Sequence, residues 1–135
     1  MIRDFVIIIP ARFKSSRFPG KPLADIKGKS MIQRVWEKCV QASSEDEVYI
    51  ATDDLKIENH CLERGINVIM TSEHCLTGTD RVSEVAQSLD AKFYVNVQGD
   101  EPLINPSDIK KVIDAFKLNP DSTYCAMTKI KDEEE

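Results

Sequence analysis

Close to the N-terminus, Phe5-Val6-Ile7-Ile8-Ile9 forms an uninterrupted apolar run, mostly β-branched, between Arg3-Asp4 and Pro10. A strand with one wet face alternates apolar and polar residues, so a strand apolar at every position is covered on both faces. The run is far shorter than the roughly 20 residues that cross a bilayer. It therefore demands a sheet with helices above and below, and the rest of the chain has the pattern to supply them. Met31, Ile32, Val35, Trp36, Cys39 and Val40 recur at helical spacing behind Ser30, a good N-cap. Glu47–Ala51 reads as a second strand, Leu55–Arg64 as a helix closed by Gly65, and Asn67–Met70 as a third strand. A helix from Gly78 or Thr79 turns Val82, Val85, Ala86 and Leu89 inward, and Lys92–Val97 is a fourth strand. Asn105-Pro106 opens a helix bearing Ile109, Val112, Ile113 and Phe116, and Ser122–Ile130 reads as a fifth strand. Strand and helix alternating in this way predict a three-layer α/β/α fold with a mostly parallel, Rossmann-like sheet.

The 135 residues suffice for one domain, and 41% hydrophobic with 30% charged residues is a globular composition. The net charge of −5 hides an asymmetry. The last four residues are all acidic, whereas residues 1–34 hold Arg3, Arg12, Lys14, Arg17, Lys21, Lys27, Lys29 and Arg34 against only Asp4 and Asp25. A local positive field inside an acidic chain suits a small anionic ligand. A nucleic-acid surface would bring a basic overall balance with interleaved aromatics, and neither is present, so nucleic acid is excluded as a partner, as a membrane is by the shortness of the longest apolar run. Cys39, Cys61, Cys75 and Cys125 contain no C-x-x-C and match no common zinc or disulfide framework. They read as reduced, buried thiols of a cytoplasmic protein. The repeated His60-Cys61 and His74-Cys75 pairs are not read as a metal site, because the first pair sits on a helix and no supporting acid is evident.

Ligands of parallel sheets lie beyond the carboxyl ends of the strands, which directs attention to segments 10–29, 52–54, 71–80 and 98–105. Segment 10–22 is long for a connection that usually takes about 2–6 residues. It carries Arg12, Lys14, Arg17 and Lys21, the hydroxyls of Ser15 and Ser16, and Gly20. Fixed cations, rotatable donors and close backbone approach are the parts of a polyphosphate cradle. Gly28-Lys29-Ser30 is not the end of a P-loop, because Leu23 stands where its first glycine belongs, and no G-x-G-x-x-G occurs. In Gln98-Gly99-Asp100-Glu101-Pro102 a carboxylate can hold Mg²⁺ if phosphates or another acid complete the shell; the same residues also make a turn. Thr77-Gly78-Thr79-Asp80-Arg81 opens a helix whose free amides can meet an anion or a base edge, or simply be capped. Thr52-Asp53-Asp54 reads first as a cap for the next helix and second as a ligand contact.

As an ordered set, these motifs carry a resemblance. Pro10-Ala11-Arg12-Phe13-Lys14-Ser15-Ser16-Arg17-Phe18-Pro19-Gly20-Lys21-Pro22-Leu23, then Ala51-Thr52-Asp53-Asp54, Met70-Thr71, Gly78-Thr79-Asp80-Arg81 and Asn96-Val97-Gln98-Gly99-Asp100-Glu101-Pro102, resemble the sugar-activating cytidylyltransferases. Within these they look most like the synthetases of CMP-Kdo, Kdo being 3-deoxy-manno-octulosonate. The likeness runs from about residue 5 to the end. It implies a glycosyltransferase-A-like nucleotidyltransferase fold, and transfer of CMP from CTP to Kdo with loss of pyrophosphate, for lipopolysaccharide synthesis. It implies that Arg12, Arg17 and Lys21 hold the triphosphate, and that Ala11, Thr71, Thr79, Asp80 and Arg81 surround the cytidine. Gln98 would lie near the reacting centre and Asp100 would bind Mg²⁺, so Arg12, Lys21, Gln98 and Asp100 form the implied catalytic set. Family chains continue further, with a second metal-binding aspartate, most of the sugar pocket and a homodimer interface. Residues 1–135 are accordingly expected to be the nucleotide-binding part of a truncated chain, poorly active alone. A sialic-acid-type CMP-sugar synthetase and a non-catalytic nucleotide-binding domain remain the competing readings. A receiver domain does not, since Pro10-Ala11-Arg12 stands where it needs acids.

Overall fold

The structure is a computed structural model that describes residues 3–12, 20–72, 78–99 and 103–118. Its centre is β1 (Arg3–Pro10). On one side β1 pairs in parallel with β4 (Val48–Thr52), Ile7 opposite Val48 and Pro10 opposite Ala51. On the other it pairs in parallel with β6 (Ala91–Asn96), Phe5 opposite Phe93 and Ile8 opposite Asn96. The short β5 (Val68–Met70) lies outside β4, giving the order β5-β4-β1-β6.

The apolar run behaves as its sequence requires. Phe5, Ile7 and Ile9 pack into a core with Ile32, Val35 and Cys39 of α1 (Met31–Ala42), Ile57 and Cys61 of α2 (Leu55–Glu63), and Ile109 and Ile113 of α4 (Pro106–Leu118). Val6 and Ile8, on the opposite face, pack with Val82 and Val85 of α3 (Gly78–Ala86). Val6 through Ile9 are all at 0% exposure. Each such aliphatic side chain contributes about 1.5–3 kcal/mol of burial. Phe5 also stacks on Phe93 at 5.7 Å, with the Lys117 ammonium 5.3 Å above the Phe5 ring. Among the described residues no helix is long and apolar enough to cross a membrane.

The helices start where local chemistry puts them. Ser30 Oγ accepts from the Gln33 N–H at 3.2 Å at the head of α1. Asp54 Oδ1 accepts from the Lys56 and Ile57 amides at 2.8 and 3.2 Å at the head of α2. Asn105 Oδ1 accepts from the Ser107 amide at 2.9 Å, with Pro106 as first helical residue. The expected fifth strand, Ser122–Ile130, lies outside the described residues.

One element departs from the sequence reading. Within segment 10–29, residues Asp25–Ile26 (β2) and Lys29–Ser30 (β3) form an antiparallel hairpin. Its two-residue turn places Lys27 at φ 52° and Gly28 at φ 96°, the left-handed pair that matches strand twist. Arg34 of α1 clasps this turn, donating from Nε to the Ile26 carbonyl at 2.7 Å and from a terminal nitrogen to the Lys27 carbonyl at 2.9 Å. Lys29 pairs with Glu37 at 3.0 Å. Two of the eight N-terminal cations thus hold the scaffold together, so the basic segment is not all ligand surface.

Candidate functional site

All four parallel strands send their carboxyl ends to one rim. There the ladder extends slightly beyond the strands. The Ala11 amide donates to the Ala51 carbonyl at 2.8 Å, the Thr71 amide to Thr52 at 2.8 Å, and the Val97 amide to Ile8 at 3.0 Å. These bonds fix the starts of the connections that follow β1, β5 and β6. The tightest approach is at Gly99. A Cβ on this residue would sit 2.9 Å from the Pro10 carbonyl oxygen and 3.4 Å from Ile32 Cδ1. Only glycine allows that seating, and it places the Gln98-Gly99 segment directly on the end of β1, where the cation-rich segment begins.

A second constellation forms between β4, β5 and α3. Arg81, in the first turns of α3, is at 0% exposure. Its Nη1 donates to Thr71 Oγ1 at 2.5 Å, and its Nη2 lies 3.9 Å from Asp53 Oδ2. One residue along, Asp54 is occupied as the cap of α2, so the adjacent aspartates divide two tasks. Glu84, the next turn of α3, accepts from the Ser72 amide at 2.8 Å and holds the segment leaving β5. Arg81 keeps two buried donors, Nε and Nη2, without a hydrogen-bond partner among the described residues. Asn96 Oδ1, at the end of β6, is a buried acceptor in the same condition. Buried polar groups left this way are costly, and a polar ligand at the rim would relieve the cost.

The structure brings several of the expected residues to this rim. Ala11 is buried with its amide committed to the sheet, Arg12 is exposed beside it, and Gln98 is half-buried after β6. Thr71 and Arg81, ten residues apart, are joined by a hydrogen bond. Thr79 and Asp80 lie in the first turn of α3, and Lys21 opens a 3₁₀ turn at Lys21–Leu23; for these three the backbone placement alone is described. Arg17 and Asp100 lie outside the described residues. Sequence reasoning left Asp53 undecided and missed Glu84. The signal for Glu84 was its place one helical turn after Arg81. Among the described residues no group of three His, Cys, Asp or Glu side chains is gathered as a metal site.

The comparisons with known proteins agree with this geometry. The family model described as cytidylyltransferase matches residues 6–135. The chain is 53% identical over 117 residues to 3-deoxy-manno-octulosonate cytidylyltransferase of Trichlorobacter lovleyi, covering 87% of this chain and 46% of that protein. It is 48% identical over 130 residues to the Arabidopsis thaliana protein named 3-deoxy-manno-octulosonate cytidylyltransferase, mitochondrial, covering 94% of this chain and 45% of that one. A solved structure of CMP:2-keto-3-deoxy-manno-octonic acid synthetase complexed with CTP superposes with a TM-score of 0.83 at 45% identity, covering 87% of this chain and 48% of that one. The chain spans about half the length of the curated relatives it matches. By the family match across nearly its whole length, and by the parallel sheet and rim that the match requires, this chain belongs to the cytidylyltransferases.

Proposed function

We propose that this chain forms the nucleotide-binding part of an enzyme that transfers CMP from CTP to 3-deoxy-manno-octulosonate. In this reaction the anomeric hydroxyl of the sugar attacks the α-phosphorus, a new P–O bond forms, and the bond to the β-phosphate breaks to release pyrophosphate. The observation that carries the reading is the 45% identity, across 87% of this chain, to a synthetase complexed with CTP. The rim chemistry supports it.

Phosphoryl transfer of this kind depends on positioning and on neutralising charge. Arg12, Arg17 and Lys21 hold the triphosphate and take up the charge of departing pyrophosphate. Arg81, bonded to Thr71 and facing Asp53, has donors without a partner among the described residues for the acceptor edge of cytosine, with Thr79 and Asp80 beside it on the same helix start. The Ala11 carbonyl, not its amide, is the backbone group offered to the nucleoside, because the amide is bonded to Ala51. Gln98 lies beside the reacting centre. Asp100 is the proposed Mg²⁺ ligand: it follows the seated Gly99 directly, and a lone carboxylate suits an ion that also takes phosphate oxygens. Mg²⁺, when bound, supplies charge neutralisation on the phosphates. A cytoplasmic location, which rests on the cysteine pattern, belongs to the same proposal, as do use of the product in lipopolysaccharide synthesis and a homodimeric complete enzyme, which rest on the family resemblance.

Calorimetric titration of this chain with CTP, UTP and ATP at equal Mg²⁺ tests the reading. Saturable CTP binding at least about tenfold tighter than ATP binding is expected, a difference of about 1.4 kcal/mol. Equal affinities, or no CTP binding, would overturn it.

A further inference from the structure

The hydrogen bond between His60 and Ser30 joins α2 to the head of α1 and the end of the hairpin. His60 lies on α2, and its Nε2 is 2.6 Å from Ser30 Oγ. Ser30 is buried, caps α1 and ends the hairpin, where it pairs with Asp25. From Ser30 the connection continues toward the rim. The Met31 amide donates to the Ala24 carbonyl at 2.9 Å, and the Leu23 amide to the Gly20 carbonyl at 2.9 Å. That last bond closes the turn that carries Lys21. Both α1 and α2 pack against this turn, and Leu23 packs on the main core.

The fold of α2 does not need this histidine. Asp54 caps the helix, and Ile57 and Cys61 bury its apolar stripe. From these contacts we propose that His60 is a positioning residue: through Ser30 it clamps the far end of the cation-rich segment and sets where Lys21 meets the triphosphate. The ligand in this inference is the one assigned under Proposed function, on which it rests.

The proton arrangement follows from the partners. Ser30 Oγ already accepts from the Gln33 amide, so its own O–H is available to donate to an unprotonated Nε2. Burial holds the His60 ring below its ordinary value of 6.5, the Arg64 charge lowers it further, and Glu63 opposes. On the elements packed against it, Lys29 is paired with Glu37 and Arg34 is bonded to the hairpin carbonyls. A protonated ring would reverse the bond and leave the serine proton without its acceptor.

The test uses His60→Ala, His60→Gln, Ser30→Ala and the Ser30→Ala/His60→Ala double variant. Binding of Mg²⁺–CTP is read by calorimetry, and backbone exchange at Leu23 and Met31 is read without nucleotide. His60→Ala is expected to weaken CTP binding about fivefold and to speed exchange at both amides. The double variant should lose no more than the weaker single variant, as coupled residues do. The amide oxygen of His60→Gln can accept from Ser30, so this variant should bind within about twofold of the parent. As pH falls from 7.5 to 5.5, the parent should lose more affinity than His60→Gln, in which the ring proton has no counterpart. Parent-like CTP binding by His60→Ala, additive losses in the double variant, or no rescue by glutamine would overturn the proposal. If the parent chain binds no CTP, the function reading fails; unchanged exchange at Leu23 and Met31 in His60→Ala would separately refute the clamp.

Discussion

At Gly99 a single hydrogen atom sets the spacing between two connections. A methyl group there meets the Pro10 carbonyl at 2.9 Å, a backbone atom that cannot swing away. Gly99→Ala is therefore expected to cost about 1–3 kcal/mol, seen as a lower urea midpoint, with weaker CTP binding as the Gln98 segment lifts from β1. Asp53 and Arg81 make a second residue-level case. Asp53→Ala leaves a fully buried guanidinium with less compensation, and a loss of about 1–2 kcal/mol in urea unfolding is expected from this long, partly exposed pair. The buried thiols make a third. Burial pushes Cys61 up to about 12, with Arg64 lowering and Glu58 raising it, and burial pushes Cys39 higher still. Neither forms a reactive thiolate near neutral pH. Mass mapping after iodoacetamide treatment at pH 8 should find Cys39 and Cys61 unmodified in the folded chain and alkylated in urea.

Elements differ in how plainly the sequence announces them. The central strand and the helices α1, α2 and α4 were legible because their signals are local: an apolar run, a helical stripe, or a Ser, Asp or Asn cap read within a few residues. The β2–β3 hairpin was not, because strands of two residues carry no period and Lys-Gly is a weak turn signal. The cost of that choice is measurable. Lys27 occupies a left-handed φ of 52°, a conformation that asparagine tolerates better. Lys27→Asn should raise the stability of the chain by up to about 1 kcal/mol, read as a higher melting temperature. From spacing alone the site was legible as a set of segments, and the family resemblance named residues within them, among them Thr71 and Arg81. The strand ends to inspect followed from βα alternation. The burial of Arg81 did not, because Thr71 and Asp53 reach it through the pairing of β4 with β5, which no local pattern encodes.

For the molecule as a whole, the order β5-β4-β1-β6 has a consequence in time. The first partner of β1 lies 41 residues on, from Ile7 to Val48, but the second lies 88 residues on, from Phe5 to Phe93. Contacts of such long sequence separation slow folding. A chain emerging from the ribosome carries one of its most apolar strands with one side of the ladder unsatisfied while some eighty further residues are made. Until residues 91–96 arrive, that strand is a template for any other extended chain.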